Sequence, residues 1–372
     1  MEKKLKNISG KEYCNIHNSK YSVQQKEQSQ KIYFSNYGEY TETNNYIDVK
    51  YPEIYIAELN NVNIIGANYI IFDENNYCIY DLPFMDDENK FDLKCNNTIY
   101  VDKSTTCISY DEPIETIDEG IMLISACSYN FSHFHTEVIS KLCFINERKE
   151  YNNVPILIDE ICFKTEAFLE EIELLNKNGR KIVPLKKGSV YKIKKLTYIS
   201  DLGIYPFQIK PGYLLKNKDC VFSDIGIKLI HEKLSIKSNI FRKLFMSRRI
   251  SGNPRLENQD RVERIFAEKG YEIIFPELMS FADKLKIFSE AEIIAGVGGA
   301  GFTNNLFANK NVKIIAIHPK VIEWPWTSNM AGILGQQCYF LDAELSKYTP
   351  FRYYQNSYRI DEEYLRKFLN QF

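Results

Sequence analysis

The 372-residue sequence is notable first for what it lacks. It has no basic excess: 47 Lys and Arg against 49 Asp and Glu leave a formal net charge of -2. General nucleic-acid binding normally shows as a basic surplus over a whole domain, so that class is excluded and any anionic partner must be met locally. The nine cysteines contain no C-x-x-C pair, which removes zinc-knuckle and dithiol redox motifs; scattered and odd in number, they read as small apolar core residues in a reducing cytoplasm. "MEKKLKNISGKEY" has no apolar signal-peptide core, and no run approaches the ~18 apolar residues of a spanning helix. The expectation is a cytoplasmic protein. The lysine-rich "LKKGSVYKIKK" (185–195) reads as a solvated edge strand, with peripheral contact to anionic lipid at the inner membrane face left open.

What is present is ordinary globular material, 44% hydrophobic and 26% charged, in a chain long enough for two domains. Residues 1–50 are polar with little periodicity and read as an irregular lead-in. From residue 52, short β-branched and aromatic runs alternate with Asn, Gly and Asp turns, as strands and hairpins do. From "GIMLISA" (120–126) to "KKLTYIS" the texture changes to α/β alternation, with a helix expected over "SHFHTEVISKLCFINE" (132–147). Pro206 and Pro211 punctuate a linker. Beyond it, the apolar strands "KLFMSR", "YEIIF", "EIIAG" and "VKIIAIH" alternate with amphipathic helices, the pattern of a parallel, doubly wound sheet. These shifts divide the chain into an N-terminal domain (1–210), a second α/β domain (211–345) and a C-terminal helical segment (346–372).

"AGVGGAGFTNN" (295–305) lies at the carboxyl end of one of these strands and runs into a helix. In open α/β sheets ligands bind at that edge, and a helix start offers free N–H groups to an anion, so the loop reads as a phosphate cradle. It lacks the Lys-Ser/Thr ending of a Walker A loop, and it follows the last strands rather than the first, unlike a dinucleotide fingerprint. Upstream, Arg248 and Arg249 follow a strand end and Arg255 precedes the next helix, a set suited to clamping a diphosphate without a metal. His133 and Glu137 are four apart, hence on one helix face, as an imidazole base and its orienting carboxylate would be; either could be the base, with His133 favoured. His135 points to another face, and the H-x-H spacing has no third metal ligand in view. The acidic "MDDEN" (85–89) reads as a solvated loop rather than a D-x-D metal site.

Taken together, these stretches resemble the family 61 glycosyltransferases in their bacterial, capsule-type branch. The family's N-Y-x-H-W-x-x-D/E appears as "NFSHFHTE" with Asn130, His133 and Glu137, and its S-R-R…N-E as "SRR" with Asn258 and Gln259. Its P-E-x-x-S appears as "PELMS" with Glu277, its G-x-H-G-A-G-L-T-N as "GVGGAGFTN", and its A-x-x-L-G-x-x-Y as "AGILGQQCY". The resemblance, over roughly 50–372, implies a GT-B fold of two Rossmann-like domains facing across a cleft, with 1–210 as the acceptor-side domain and 211–345 as the nucleotide-sugar donor domain. It implies inverting, metal-independent transfer from a nucleotide-sugar, with no cofactor, to a surface glycan, capsular polysaccharide or lipid-linked glycan. Donor binding would fall to Arg248, Arg249, Arg255, Asn258, Glu277, Gly298, Gly299, Ala300, Gly301, Thr303 and Asn304, and acceptor binding to Asn130 and His135. Three departures stand out: Gly298 replaces the pattern's histidine, Gln259 its acid, and Ala316 an acid after the following strand. They motivate an alternative, a non-catalytic GT-B module that binds a nucleotide or glycan in a polysaccharide assembly complex.

Overall fold

The computed structural model describes every residue outside 35–44, 87, 206–207, 214–215, 251, 253, 322–324 and 347–355. Pro206 of the expected linker and Asp87 of the acidic stretch therefore lie outside the described residues. The chain forms two compact units, one of Met1–Ser29 with Lys50–Lys210, the other of Gln30–Val49 with Pro211–Phe372.

The first unit is built on an 11-stranded mixed sheet. Its principal strands are β1 (Glu2–Ile8), β2 (Ile54–Ile65), β3 (Glu115–Leu123), β4 (Ile156–Asp159), β5 (Ile182–Leu185) and β6 (Val190–Ile199). Strands β3 to β6 run parallel in the spatial order β5-β4-β3-β6, so the chain starts in the middle, walks one way, and returns to the other side of β3. That reversal is a topological switch point, and the crevice outside the carboxyl ends of β3 and β6 is where such sheets bind ligands. Beyond β6 the sheet continues antiparallel through β2, whose residues Ile56, Leu59, Val62 and Ile64 are buried in the core.

Two expectations change here. The stretch 1–50 contains β1, paired with residues 105–109 and 77–79, followed by the helix α1 (Gly10–His17) capped by Ser9. A polar sequence such as "EKKLKNI" carries no strand signal of its own; its partners lie far along the chain. Likewise the lysine-rich 190–199 segment is an interior strand between β3 and β2. Its solvent-facing Lys192, Lys194 and Lys195 pair with Glu74, Asp118 and Glu58, so the charge that suggested an edge is matched across the sheet face.

The helix expected over 132–147 is present as α2, spanning 131–146, with a wider π-helical stretch at Phe134–Ile139 between two α segments. It is followed in chain order by α3 (Glu166–Leu175), and the stacked pair Phe134–Phe168, 3.9 Å between centroids, joins the two helices.

The second unit holds a five-stranded parallel sheet of β7 (Arg242–Met246), β8 (Glu272–Ile274), β9 (Ala291–Val297), β10 (Lys313–His318) and β11 (Gln337–Asp342). The spatial order is β8-β7-β9-β10-β11, all neighbours parallel. The first four are the strands legible in the sequence; the short run of β11 carries little signal because Gln336 and Gln337 precede its apolar residues and Asp342 closes it. Helices α5 (Gln259–Glu268) and α8 (Glu362–Leu369) cover one face, burying Val262, Phe266, Leu365 and Phe368 against Phe245, Ile293, Ile315 and Tyr339. Burial of each such side chain stabilises the unit by about 1.5–3 kcal/mol. The C-terminal segment is thus part of this core. Helices α4 (Asp224–Leu234), α6 (Phe281–Ser289) and α7 (Pro325–Leu334) pack with the short 3-10 helix Ala300–Phe307. The switch point falls between β7 and β9, whose carboxyl ends carry the arginines and the glycine loop.

Candidate active site

Each unit places a set of polar side chains at its own switch point. In the first, Asn130 is the N-cap of α2, its Oδ1 accepting from Ser132 N at 2.9 Å, a structural use that fixes where the helix starts. One turn in, His133 Nδ1 lies 2.9 Å from Glu137 Oε1. Glu137 Oε2 accepts from Tyr69 OH at 3.0 Å and from Ser125 Oγ, so the carboxylate is anchored on its far side. The His133 ring stacks on Tyr205, 4.0 Å between centroids and 8° from parallel. Tyr205 follows β6 and stacks on the imidazole, while Ser125 follows β3 and holds the carboxylate, so residues beyond both strands of the switch point fix the His133–Glu137 pair.

A second carboxylate supports this arrangement. Asp159, the last residue of β4, accepts from Ala67 N at 2.6 Å, from Ser125 N at 3.0 Å and from Ser128 Oγ. Burial pushes its pKa up to about 6 against the opposing pull of these donors. Burial also raises the Tyr69 phenol well above its ordinary value, with the nearby Glu137 charge adding to the effect, so Tyr69 serves as a hydrogen-bond donor. Sequence reasoning missed Tyr69, Ser125, Asp159 and Tyr205. They come from four separate stretches and belong to no shared spacing.

His135 does not join this group. Its ring is fully buried, Nδ1 lies 2.7 Å from Phe131 O and Nε2 lies 3.0 Å from Glu171 Oε2 on α3. These contacts give it a packing and pairing role within the unit.

In the second unit, three expected donor ligands separate. Arg255 Nη1 donates to Gly298 O at 2.7 Å, and a Cβ built on Gly299 would run into Arg248 Nη1, so these two guanidinium groups lie directly on the glycine loop. Burial pulls Arg248 below its usual pKa, with Tyr358 and Glu277 countering it; an arginine so placed remains a cation. Arg249 turns away: its Nη2 pairs with Glu263 and with Asp260 at 2.9 Å. The chain turns at Arg249, just past the end of β7, which sends one arginine to the loop and the other to α5. Asn258 is also diverted, donating to Ile360 O at 2.9 Å and so tying α5 to the C-terminal segment. Glu277 is exposed on the turn after β8, on the Arg248 side.

The loop itself runs from Gly298, whose N–H donates to Ile317 O at 3.0 Å, into Ala300 and Gly301 at the start of the 3-10 helix. Thr303 and Asn304 are buried just beyond, with Thr303 Oγ1 and Asn304 Oδ1 lacking hydrogen-bond partners among the described residues. Elsewhere in this unit, a groove of 870 Å³ is bordered by Lys320, Asp342, Glu344 and Arg359.

The departures from the motif pattern acquire neighbours in three dimensions. Gln259 Nε2 donates to Glu263 Oε1 at 2.7 Å and to Ser247 Oγ at 3.1 Å, so an acid stands one helical turn later in the same network. Ala316 is fully buried inside β10, between Gly296 and Phe340; the strand's end is His318, two residues on and on the same face. Among the described residues no three His, Cys, Asp or Glu side chains gather to hold a metal ion, and no helix is long and apolar enough to cross a membrane.

Residues 131–315 match the family model described as Glycosyltransferase 61, a span from the start of α2 into β10 that takes in His133, Glu137, the three arginines and the glycine loop. No curated protein matches the chain.

Proposed function

From a chain whose family match supports placement with the family 61 glycosyltransferases and a transferase activity, we propose an inverting, metal-independent enzyme of GT-B type. It would move a sugar from a nucleoside-diphosphate donor to a hydroxyl of a glycan, either a surface or capsular polysaccharide or a lipid-linked precursor. The work would be done in a bacterial cytoplasm or at the inner membrane face. The observation that carries this reading is the convergence of Arg248 and Arg255 on the Gly298–Gly299 loop at a switch point.

In the proposed reaction His133 Nε2 accepts the proton of the acceptor hydroxyl as its oxygen attacks the anomeric carbon from the face opposite the leaving group. Glu137, 2.9 Å from Nδ1, stabilises the imidazolium that forms. The bond between the anomeric carbon and the phosphate oxygen breaks, leaving its electrons on the diphosphate. Two guanidinium groups and the N–H groups opening the 3-10 helix would stabilise that charge, a task often given to a metal elsewhere. The His133–Glu137–Ser125/Tyr69 chain supports a histidine base, because the carboxylate is already committed to three donors.

Calorimetric titration with UDP, GDP, CDP and their sugars, with and without a chelator, tests the donor site. Release of nucleoside diphosphate in step with a product of inverted anomeric configuration tests the chemistry. Donor binding that needs a divalent cation, or a product of retained configuration, would sink the mechanism. Binding without turnover over the whole panel would instead favour the non-catalytic module. The placement of Glu263 beside Gln259 and of His318 beside Gly298 weighs against that second reading.

A further inference from the structure

The side chain missing at 298 leaves no space behind it. A Cβ built on Gly298 would stand 2.6 Å from His318 Cδ2, far inside contact distance, with His318 Cγ next at 3.4 Å. His318 ends β10, the strand next to β9, and the loop is registered to it by the Gly298 N–H bond to Ile317 O. His318 is 1% exposed, with Nδ1 3.1 Å from Pro319 O and its ring in a T-shaped arrangement with Tyr358, 6.2 Å between centroids. Tyr358 OH in turn donates to Ile317 O at 3.2 Å. On the loop's other side Arg255 holds Gly298 O and Arg248 abuts Gly299.

We infer that His318 is a positioning residue for the diphosphate loop: its ring, arriving from the neighbouring strand, fills the space a residue-298 side chain would take and sets the Gly298–Gly299 backbone where Arg248 and Arg255 meet it. This rests on the donor-site reading above. The two positions form one packing unit, so the small residue at 298 and the ring at 318 are each required by the other. A loop backbone displaced by even an ångström would misdirect its N–H groups and the Arg255 contact, and aligned geometry is what an anion site depends on.

The test is a double-mutant cycle read as UDP, GDP and CDP affinity and as donor KM, with thermal melting alongside. His318→Ala is expected to weaken the nucleotide that binds best by about tenfold, comparable to one charge-assisted hydrogen bond. His318→Phe, which keeps the ring and loses the nitrogens, should stay within about threefold of wild type. Gly298→Ala should weaken binding by about tenfold when His318 is present, and should cost little further when combined with His318→Ala. A role confined to general stability would lower melting temperature without this coupling in affinity. If His318→Ala unfolds, the Gly298→Ala and His318→Phe chains carry the test between them. Wild-type binding with His318→Ala unchanged, or strictly additive effects of the two changes on affinity, overturns the loop assignment alone. Failure of the wild-type chain to bind any nucleotide overturns the donor-site reading and this inference with it.

Discussion

His133 Nδ1 lies 2.9 Å from Glu137 Oε1, and the same carboxylate is held from behind by Tyr69 and Ser125. The relay fixes which nitrogen of His133 faces inward and leaves the other to meet a proton. His133→Ala should therefore lower kcat by about 10²–10⁴-fold with donor affinity preserved. Glu137→Gln should lower it less than His133→Ala and shift the pH–rate profile. Steady-state kinetics across pH checks both; an abolished Glu137→Gln beside a nearly intact His133→Ala would reverse the roles.

The Tyr205 ring lies flat on His133 at 4.0 Å. Such a pair is worth about 0.5–1.5 kcal/mol beyond area burial, so Tyr205→Ala should reduce kcat about three- to tenfold through a less well-held imidazole. Tyr205→Phe should be near wild type, since stacking does not use the hydroxyl. Comparing the two variants in one kinetic assay decides it.

Among the arginines, the structure separates neighbours that the sequence presents as a pair. Arg248→Ala and Arg255→Ala should each raise the nucleoside-diphosphate Kd about ten- to hundredfold, the range for a hydrogen bond to a charged group. Arg249→Ala should leave Kd within about threefold. Calorimetry on the three variants is the check, and equal losses at Arg248 and Arg249 would contradict the geometry.

Asp159 gives a pH signature. Its carboxyl is raised to about 6 by burial, so between about pH 4 and pH 6 the folded chain keeps a proton that the unfolded chain has released. A raised carboxyl pKa makes stability from this group fall as pH rises through that window and level off above it. The stability of wild type minus that of Asp159→Asn should drop by about 2 kcal/mol from pH 4 to pH 7. Urea unfolding at pH 4, 5, 6 and 7 measures it; a difference that is flat or grows with pH would refute the assignment.

Much of the frame was legible from the chain. The helix bearing His133 and Glu137 follows from apolar spacing, and four of the five strands of the second sheet follow from short β-branched runs bounded by helices. Illegible stretches were those whose conformation depends on distant partners. The 2–8 segment is a strand because residues 77–79 and 105–109 flank it, and 190–199 is interior because β2 and β3 cover both its edges. Lysines gave no warning of this, since their partners lie in distant stretches of the chain.

By itself the sequence determined the α/β alternation, the glycine loop at a strand end and the four-residue spacing of imidazole and carboxylate, because these are set by local periodicity and backbone freedom. Only the tertiary structure decided which groups meet. It sent Arg248 to the loop and Arg249 to Glu263, buried His135 on Glu171, brought Tyr205 onto His133, and set His318 in the space beside Gly298. Those contacts arise from strand order and register, which bring together residues far apart in the chain and leave no mark in the spacing of either one.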